Sequence, residues 1–464
     1  MKPQRALCAI SMAAAFLGSC NQAEMTPAKR PASSSAARPC NGVALPDTPA
    51  GNALQRWLDD FNGDDLDKIA GAFLKLQPGS SLEDAQKARK TNGGFDLVQV
   101  GKCDPFEIEF LLAERAGPYA EKYAFLAYLK VADKPPFTIE TLTLRGVPKD
   151  TKLSIFTLDP ASRARVIDGV ISALDAEYVF PDLAQKMADT LRRNAERGEY
   201  NSLTSGPAFA EILTTQLQEV SGDKHLGVNY SPDTSRDSPT VHATPTVVEL
   251  EKLREELKSV NCGFTPVEHL AGNIGYLKFD QFARVDICGP VASAAMNALA
   301  GSDALIIDLR DNGGGAPAME TFLASYLFSK PTHLVDLWTR STGKTEQYWT
   351  TEHVEGKRFG GDKPVYVLTS RRTFSCAEAF AYNLQQAKRA TIVGETTAGG
   401  AHPTDRRIID GHFSVWVPFA RAINPISKTN WEGVGVVPNV KVAAADALET
   451  ALKLAAAAVK GAHE

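Results

Sequence analysis

Apolar side chains recur at helical spacing between residues 161 and 217. They form three stripes, which are Ile167, Val170, Ile171 and Leu174, then Leu183, Met187 and Leu191, then Phe209, Leu213 and Leu217. Positions three and four apart lie on one face of an α-helix, so each stripe indicates a helix with one buried face. Pro181 and the stretch 201–207 interrupt the pattern and separate the helices. The pattern predicts a helical bundle over residues 155–235.

After residue 244 the pattern changes to short apolar runs that alternate with helical stretches. The apolar runs are 274–279, 304–309, 365–368 and 391–393, and the helical stretches are 290–300, 317–327 and 377–387. Uninterrupted apolar runs of this length are typical of strands buried on both faces, as in a parallel sheet. We therefore expect an α/β core over residues 245–460.

The region 41–150 has a different order, with a helical first half followed by strand-like runs. The helical part is 50–76, and the runs are 95–100, 106–112 and 124–131. Helices followed by several strands predict an α+β domain. The order resembles the small cone-shaped domains of the nuclear-transport-factor-2/SnoaL-like superfamily. That resemblance implies either small-molecule binding or a packing role, and we favour packing.

The N-terminus has the features of an export signal. Lys2 and Arg5 precede an apolar run, 6–17, that is too short to span a bilayer as a helix. The run ends Leu17-Gly18-Ser19-Cys20, which resembles a bacterial lipobox and implies a lipid on Cys20. We expect a lipoprotein signal peptide over 1–19 and a flexible Pro-, Ala- and Ser-rich tether over 20–40. The protein would then face the periplasm on a membrane anchor, in the outer membrane by preference, with a soluble periplasmic or secreted form as the alternative.

Charge and cysteine content narrow the function further. A net charge of −5 offers no basic surface, so we expect no nucleic-acid partner.

Without the signal and the anchor, the cysteines are Cys40, Cys103, Cys262, Cys288 and Cys376. Export permits disulfides, and chain order favours the pairs Cys40–Cys103 and Cys262–Cys288, with Cys376 unpaired. No cysteine or histidine spacing resembles a zinc site, and we expect neither a metal nor a cofactor.

The stretch 369–380 carries the first candidate chemistry, because it follows a buried strand and opens a helix at Ser375. The free N–H groups at a helix start stabilise negative charge, as acyl transfer requires. Ser375 followed by Glu378 is also a capping box, a common structural feature, and taken alone the segment favours the cap. Ser370 is a second hydroxyl nearby, at the end of the strand.

The second candidate is the turn Asp308-Leu309-Arg310-Asp311-Asn312-Gly313-Gly314-Gly315 at the end of another strand. Glycines after a strand let the backbone turn sharply and expose N–H groups to a ligand. A phosphate loop is disfavoured, because the lysine and Ser/Thr of that motif are missing. Alone, this segment indicates a glycine turn and no more.

Together these segments resemble the tail-specific or C-terminal-processing protease family, in the branch of the tricorn core and the interphotoreceptor retinoid-binding protein. The resemblance covers about 161–457 and includes three further features: the helical bundle, the stretch 393–400 and the stretch 432–438. It implies a Clp-protease/crotonase-like core, with Ser375 as nucleophile. It also implies an oxyanion hole made by the N–H of Cys376 and that of Gly313 or Gly314.

A serine hydroxyl needs a base, and the resemblance offers two kinds. In the processing branch the base is a lysine, but Gly400 occupies that position here. The tricorn-like branch implies His225 as base and Glu432 as orienting acid, and an imidazole pKa of about 6.5 suits a base near neutrality. His402 competes with His225 because it lies beside the lost lysine. Lys224 stands where the tricorn protease has a serine.

We therefore expect an exported, metal-independent serine peptidase that forms an acyl-enzyme on Ser375 and acts on peptide or protein substrates. Cys376 as nucleophile is a third choice, since no resemblance supports it. The main alternative is a non-catalytic protein of the same fold that binds hydrophobic ligands or peptides. A crotonase-like enzyme for coenzyme-A esters is disfavoured by export. The stretch 230–273 is too short for a tail-binding PDZ module, and the sequence leaves the oligomeric state open.

Overall fold

A computed structural model of the protein describes residues 38–463, except 77–81, 118–119, 122, 152, 154–157 and 232–246. The expected signal peptide 1–19, Cys20 and nearly all of the expected tether 20–40 lie outside the described residues. Within the described ranges, no helix combines the length and the apolar character needed to cross a bilayer.

The first unit contains helices followed by one antiparallel sheet, which confirms the predicted order of elements. Its elements are β1 (Arg38–Gly42), α1 (Pro49–Asn62), α2 (Leu66–Leu76), α3 (Leu82–Asn92), β2 (Phe95–Asp104), β3 (Glu107–Glu114), β4 (Tyr123–Val131) and β5 (Ile139–Pro148). The sheet order is β1-β2-β3-β4-β5. Leu54, Trp57 and Phe61 of α1 pack against Phe95 and Phe110 of the sheet. The likeness to SnoaL-like cones stays a prediction.

Three helices follow, and their local sequence explains where each begins. They are α4 (Pro160–Glu177), α5 (Pro181–Glu196) and α6 (Gly206–Ser221). Asp159 and Ser205 accept a backbone N–H at the starts of α4 and α6, which satisfies donors left free by the first turn. Gly222 ends α6 in the left-handed conformation, at φ 72°. The short loop after it leads to β6 (Gly227–Tyr230).

The remaining chain forms the α/β core, as predicted, with additional strands. Its elements are α7 (Val247–Ser259), β7 (Glu268–Leu270), β8 (Ile274–Lys278), α8 (Val285–Leu299), β9 (Ala304–Asp308), α9 (Pro317–Ser325), β10 (His333–Thr339), β11 (Lys344–Trp349), β12 (Val365–Thr369), α10 (Cys376–Gln386), β13 (Thr391–Gly394), β14 (Thr404–Ile408), β15 (Phe413–Pro418), β16 (Ala420–Ile423), β17 (Val440–Lys441) and α11 (Ala447–His463). The central sheet has the order β17-β13-β12-β9-β8-β7. Five of its strands are parallel, and β7 is antiparallel to β8.

The parallel arrangement positions the functional turns. Every residue of β9 and of β12 is buried, which explains their uninterrupted apolar sequences. Because β9 and β12 are parallel neighbours, the turns that follow them leave the same edge of the sheet. Two small sheets, β11-β10-β16 and β14-β15-β6, were not predicted. The second joins β6, from the end of the helical bundle, to β15 of the core and so fixes the loop before β6.

Two disulfides involve described residues. Cys262 and Cys288 are bonded across a sequence separation of 26, and they tie the segment after α7 to α8. Cys103 is also disulfide-bonded, and the side chain of its expected partner Cys40 lies outside the described residues. Cys376 is a free, buried cysteine.

Replacing Cys262 and Cys288 together by serine should lower the stability of the core. A closed loop of this length restricts the unfolded chain, and its loss costs about 3 kcal/mol in the free energy of unfolding. Denaturant unfolding of both proteins under non-reducing conditions measures the difference. Identical transition midpoints would mean that the bond does not constrain the unfolded chain.

Candidate active site

Ser375 lies in the turn between β12 and α10, in an unusual backbone conformation. Its φ is 56° and its ψ is −120°, a region that residues other than glycine rarely adopt. The turn is held by Thr373, whose hydroxyl accepts the N–H of Ser370 and donates to the carbonyl of Leu309. A strained residue that persists in a well-packed turn is typical of functional sites.

His225 reaches Ser375 from the loop between α6 and β6. Its Nε2 lies 3.1 Å from the Oγ of Ser375. The ring packs on Phe374, with the ring centroids 4.6 Å apart, and the backbone N–H of His225 donates to Asp223 Oδ1 at 3.0 Å. The imidazole is therefore held from its backbone and its face, with one nitrogen directed at the hydroxyl.

Burial controls the charge of this imidazole. Removal from water lowers the pKa of His225 to about 4, an effect that His402 reinforces and the carboxylate of Asp223 opposes. The ring is consequently neutral near pH 7, which is the form that can accept a proton from a hydroxyl.

Behind His225 lies a cluster of two carboxylates and a second imidazole. Nδ1 of His225 is 3.9 Å from Asp223 Oδ1. His402 lies between the carboxylates, with its Nδ1 3.0 Å from Asp223 Oδ2 and 3.4 Å from Glu432 Oε2. Tyr178 donates its hydroxyl to Asp223 Oδ2 at 3.3 Å. The structure thus places His225 at the serine and His402 at the acids.

Glu432 lies near His225 but makes no direct hydrogen bond to it. Glu432 Oε1 and His225 Nδ1 are both buried without a hydrogen-bond partner among the described residues. Donor atoms of Asp223, His225 and Glu432 all lie within 4.8 Å of one another, a distance that one bridging water spans with two hydrogen bonds of about 2.8 Å. Sequence reasoning missed Asp223, and its only local signal is its position two residues before His225.

The same three side chains are the one group in the described ranges that could hold a metal ion. Their chemistry, an imidazole with two carboxylates, is that of known zinc ligands. The other nitrogen of His225 points at the serine hydroxyl, however, which is the arrangement of a base and its nucleophile.

The turn after β9 comes very close to Ser375. Gly314 has φ +100°, and a Cβ on it would lie 2.8 Å from Ser375 Cβ and 2.9 Å from Cys376 N. The N–H of Gly314 donates to Asn312 Oδ1 at 2.9 Å, and that of Gly313 to the carbonyl of Asp280 at 3.3 Å. Gly314 therefore lies beside Ser375, and the amides of Gly313 and Gly314 each donate to an acceptor within the protein.

Cys376 follows Ser375 and has a buried free thiol. It is the first residue of α10, so its N–H lies at the positive end of the helix. Burial raises the pKa of its thiol well above the usual range, which keeps the sulfur protonated and unreactive.

Glu378 joins the nucleophile turn to the loop 397–400. It is fully buried, and its carboxylate accepts the N–H groups of Ser375, Gly399 and Gly400 together with the hydroxyl of Thr397. Burial raises the pKa of Glu378 to about 7, against the effect of these hydrogen bonds. The capping role expected for Glu378 therefore extends to a second loop of the site.

Gly400 leaves room for the rings of Phe374 and His225. A Cβ at this position would lie 2.3 Å from the ring of Phe374 and 2.6 Å from Cε1 of His225. Any larger side chain at 400 must displace one of these rings. The lysine expected at this position in the processing branch would therefore occupy the space that His225 fills.

The first unit also contacts the nucleophile turn. Arg372 donates to Asp84 of α3 at 2.8 Å and pairs with Asp311 of the glycine turn. Asp311 pairs in addition with Lys278 at the end of β8. This chain of charges connects α3 with both turns that meet at Ser375.

Two family profiles match this chain. Residues 273–442 match the profile described as "Peptidase family S41", and residues 150–261 match the "N-terminal domain of Peptidase_S41 in eukaryotic IRBP". Each of these two ranges is similar to a domain of peptidase family S41. Together the matched ranges contain Ser375, His225 and Glu432, and the similarity supports the prediction of a serine-type peptidase.

Individual relatives of the S41 domain are distant. A "Carboxyl-terminal-processing protease" of Synechocystis sp. is 30% identical over 128 residues, which are 27% of this chain and 28% of that protein's length. The matched part thus spans less than a third of that relative.

Solved structures show a partial likeness. The photosystem II D1 C-terminal processing protease is 18% identical at a TM-score of 0.40, over 64% of this chain and 97% of that one. A lipoprotein from Streptococcus agalactiae is 13% identical at a TM-score of 0.42, over 66% and 100%. The tricorn protease is 12% identical at a TM-score of 0.43, over 80% and 47%.

Gly400→Ala should reduce the reactivity of Ser375 toward a fluorophosphonate by about 100-fold, because a displacement of His225 by about 1 Å is enough to cost this much. The second-order rate of inactivation measures the effect. Gly301→Ala is the matched control, since a Cβ there meets no atom within 4 Å. Equal rates for the Gly400→Ala protein and the control would show that His225 is not confined by this glycine.

Proposed function

We propose that the protein is a serine peptidase that hydrolyses peptide bonds through an acyl-enzyme on Ser375. The observation that carries the proposal is the distance of 3.1 Å between Nε2 of His225 and Oγ of Ser375, at a strained residue that opens a helix. The similarity of residues 273–442 to peptidase family S41 supports the reaction class.

In the first step, Ser375 Oγ bonds to the carbonyl carbon of the substrate while Nε2 of His225 takes the hydroxyl proton. The carbonyl π electrons move onto oxygen, and the N–H of Cys376 faces the resulting oxyanion. The N–H of Gly313 or Gly314 provides the second donor to the oxyanion once it leaves its internal acceptor. Of these two internal hydrogen bonds, the one from Gly313, at 3.3 Å, is the longer.

In the second step, the oxyanion collapses and the C–N bond breaks, and His225 gives its proton to the leaving amine. A water molecule then attacks the acyl carbon as His225 takes one of its protons. When this second tetrahedral intermediate collapses, the bond between the acyl carbon and Ser375 Oγ breaks, Oγ takes the proton from His225, and the carboxylic acid product leaves. Glu432 acts as orienting acid by accepting a hydrogen bond from Nδ1–H of His225 through one water, while Asp223 fixes the loop that carries the ring.

We propose peptides or proteins as the substrates of this reaction. The relative from Synechocystis is named for carboxyl-terminal processing, and we extend to this chain a preference for cleavage near a free C-terminus. The contact between Arg372 and Asp84 gives the first unit a position from which it can take part in substrate binding.

A fluorophosphonate should label the wild-type protein at Ser375, and Ser375→Ala should abolish the label. His225→Ala should slow labelling by about 10²- to 10⁴-fold, because general-base catalysis contributes this much. Cys376→Ala should still be labelled, since its thiol is buried and the backbone N–H remains. Peptide mapping by mass spectrometry identifies the modified residue.

A folded wild-type protein that never reacts would contradict the hydrolase and favour the non-catalytic binding protein. A peptide library then separates peptidase from other acyl hydrolase activity, because only a peptidase releases new amino termini.

We also propose a lipid anchor on Cys20 and a location facing the periplasm, on the sequence of the N-terminus alone. Cys20→Ala should move the protein from the membrane fraction to the soluble fraction of an expressing bacterium. Immunoblotting of the two fractions measures the shift. An unchanged membrane fraction for the Cys20→Ala protein would rule out this anchor.

A further inference from the structure

The reaction proposed above leaves His402 without a chemical step, although it lies deep in the site. Its side chain is only 3% exposed, and its ring packs edge-on against Phe180, with the centroids 5.2 Å apart. We propose that His402 is a positioning residue that holds the carboxylates of Asp223 and Glu432 as one singly charged unit behind His225, and so sets the acidic limit of Ser375 activation. This inference rests on the proposed function.

The geometry shows why such a residue is required. Asp223 is 2% exposed and Glu432 19%, so two carboxylates share a space that is largely withdrawn from water. Two anions this close cannot both stay ionised without a compensating charge. Nδ1 of His402 lies between them, at 3.0 Å from one and 3.4 Å from the other, so a single proton there serves both acids.

Several charged or titratable groups face this cluster. They are Tyr178 at the end of α4, Asp223 and His225 on the loop before β6, Glu378 of α10, Arg421 of β16, and Glu432. The hydrogen bond to Asp223 and the charge of Glu432 raise the pKa of His402, against its burial and the charge of Arg421. The cationic form of His402 is thus favoured where the two acids are ionised.

The state of Glu432 depends on this cation. Burial and then Asp223 raise the pKa of Glu432 to about 7, whereas His402 lowers it. A protonated Glu432 is a poor acceptor for the hydrogen bond from Nδ1–H of His225, so activation of Ser375 declines as the pH falls through the pKa of Glu432. Removal of the His402 cation raises that pKa further, and removal of the Asp223 charge lowers it. The two changes should therefore move the acidic limit in opposite directions.

The test measures the second-order rate of fluorophosphonate inactivation of the full chain between pH 5 and 9. This range of about four units includes the pKa of an ordinary imidazole. In a plot of rate against pH, the acidic limb is the part where the rate falls with decreasing pH. In the His402→Gln protein this limb should move to higher pH by about one unit, a typical effect of a lost neighbouring charge. The rate on the alkaline plateau should stay near that of the wild type, because His225 still contacts Ser375. His333→Gln is the matched control, since it removes a histidine that is paired with Asp336 on β10 and is not part of this cluster.

Asp223→Asn provides the opposite displacement, toward lower pH. The asparagine keeps an oxygen for the N–H of His225, so the loop retains its hydrogen bond. The double variant His402→Gln/Asp223→Asn should return toward the wild-type limb, because it removes one charge of each sign. This variant keeps the test decisive where His402→Gln alone folds poorly, as judged by circular dichroism.

The inference would be overturned if the acidic limb lay at the same pH in the wild-type, His402→Gln and Asp223→Asn proteins. A loss of rate at every pH without a displaced limb would also overturn it, since that is the result of a purely structural role. Both outcomes require a wild-type protein that labels at Ser375. An unlabelled wild-type protein would instead contradict the proposed function itself.

Discussion

The carboxylate of Glu378 is the interaction on which the arrangement of the site depends. It binds the amide of Ser375 at the start of α10 and two amides of the loop that ends at Gly400, so one buried group fixes both. The ring of His225 borders that loop at Gly400, so the same contact supports one side of the imidazole. A buried acid with several amide donors is rigid, because any movement leaves charge without compensation.

Withdrawal from water also determines what each ionisable group can do. It keeps His225 neutral, keeps the thiol of Cys376 protonated, and raises the pKa of Glu378 and of Glu432. Among the described residues the site therefore contains one competent proton acceptor beside one hydroxyl. Of the neighbouring acids, Glu378 accepts the backbone N–H of Ser375, whereas Asp223 and Glu432 lie behind His225.

The hydrophobic pattern was sufficient to predict the mixed α/β architecture. Strands buried on both faces leave uninterrupted apolar runs, and helices with one buried face leave a helical spacing of apolar residues. The place of Ser375 between a strand and a helix favoured a helix cap, so its assignment as nucleophile needed a family resemblance. His225 needed the same resemblance, since nothing in its neighbourhood reveals which distant turn it meets. The pairing of Asp223 with His402 joins positions 179 residues apart and depends on β6 pairing with β15, a non-local contact that no periodicity encodes.

The space at residue 400 makes two catalytic designs mutually exclusive in this architecture. A lysine there and an imidazole at 225 would need the same volume, so neither can be acquired while the other is retained. One substitution is not enough to exchange them, because a lysine introduced at 400 first displaces the ring of His225 or of Phe374. Divergence between histidine- and lysine-dependent relatives would then pass through a form with an empty or impaired site, which gives such lineages a barrier to interconversion.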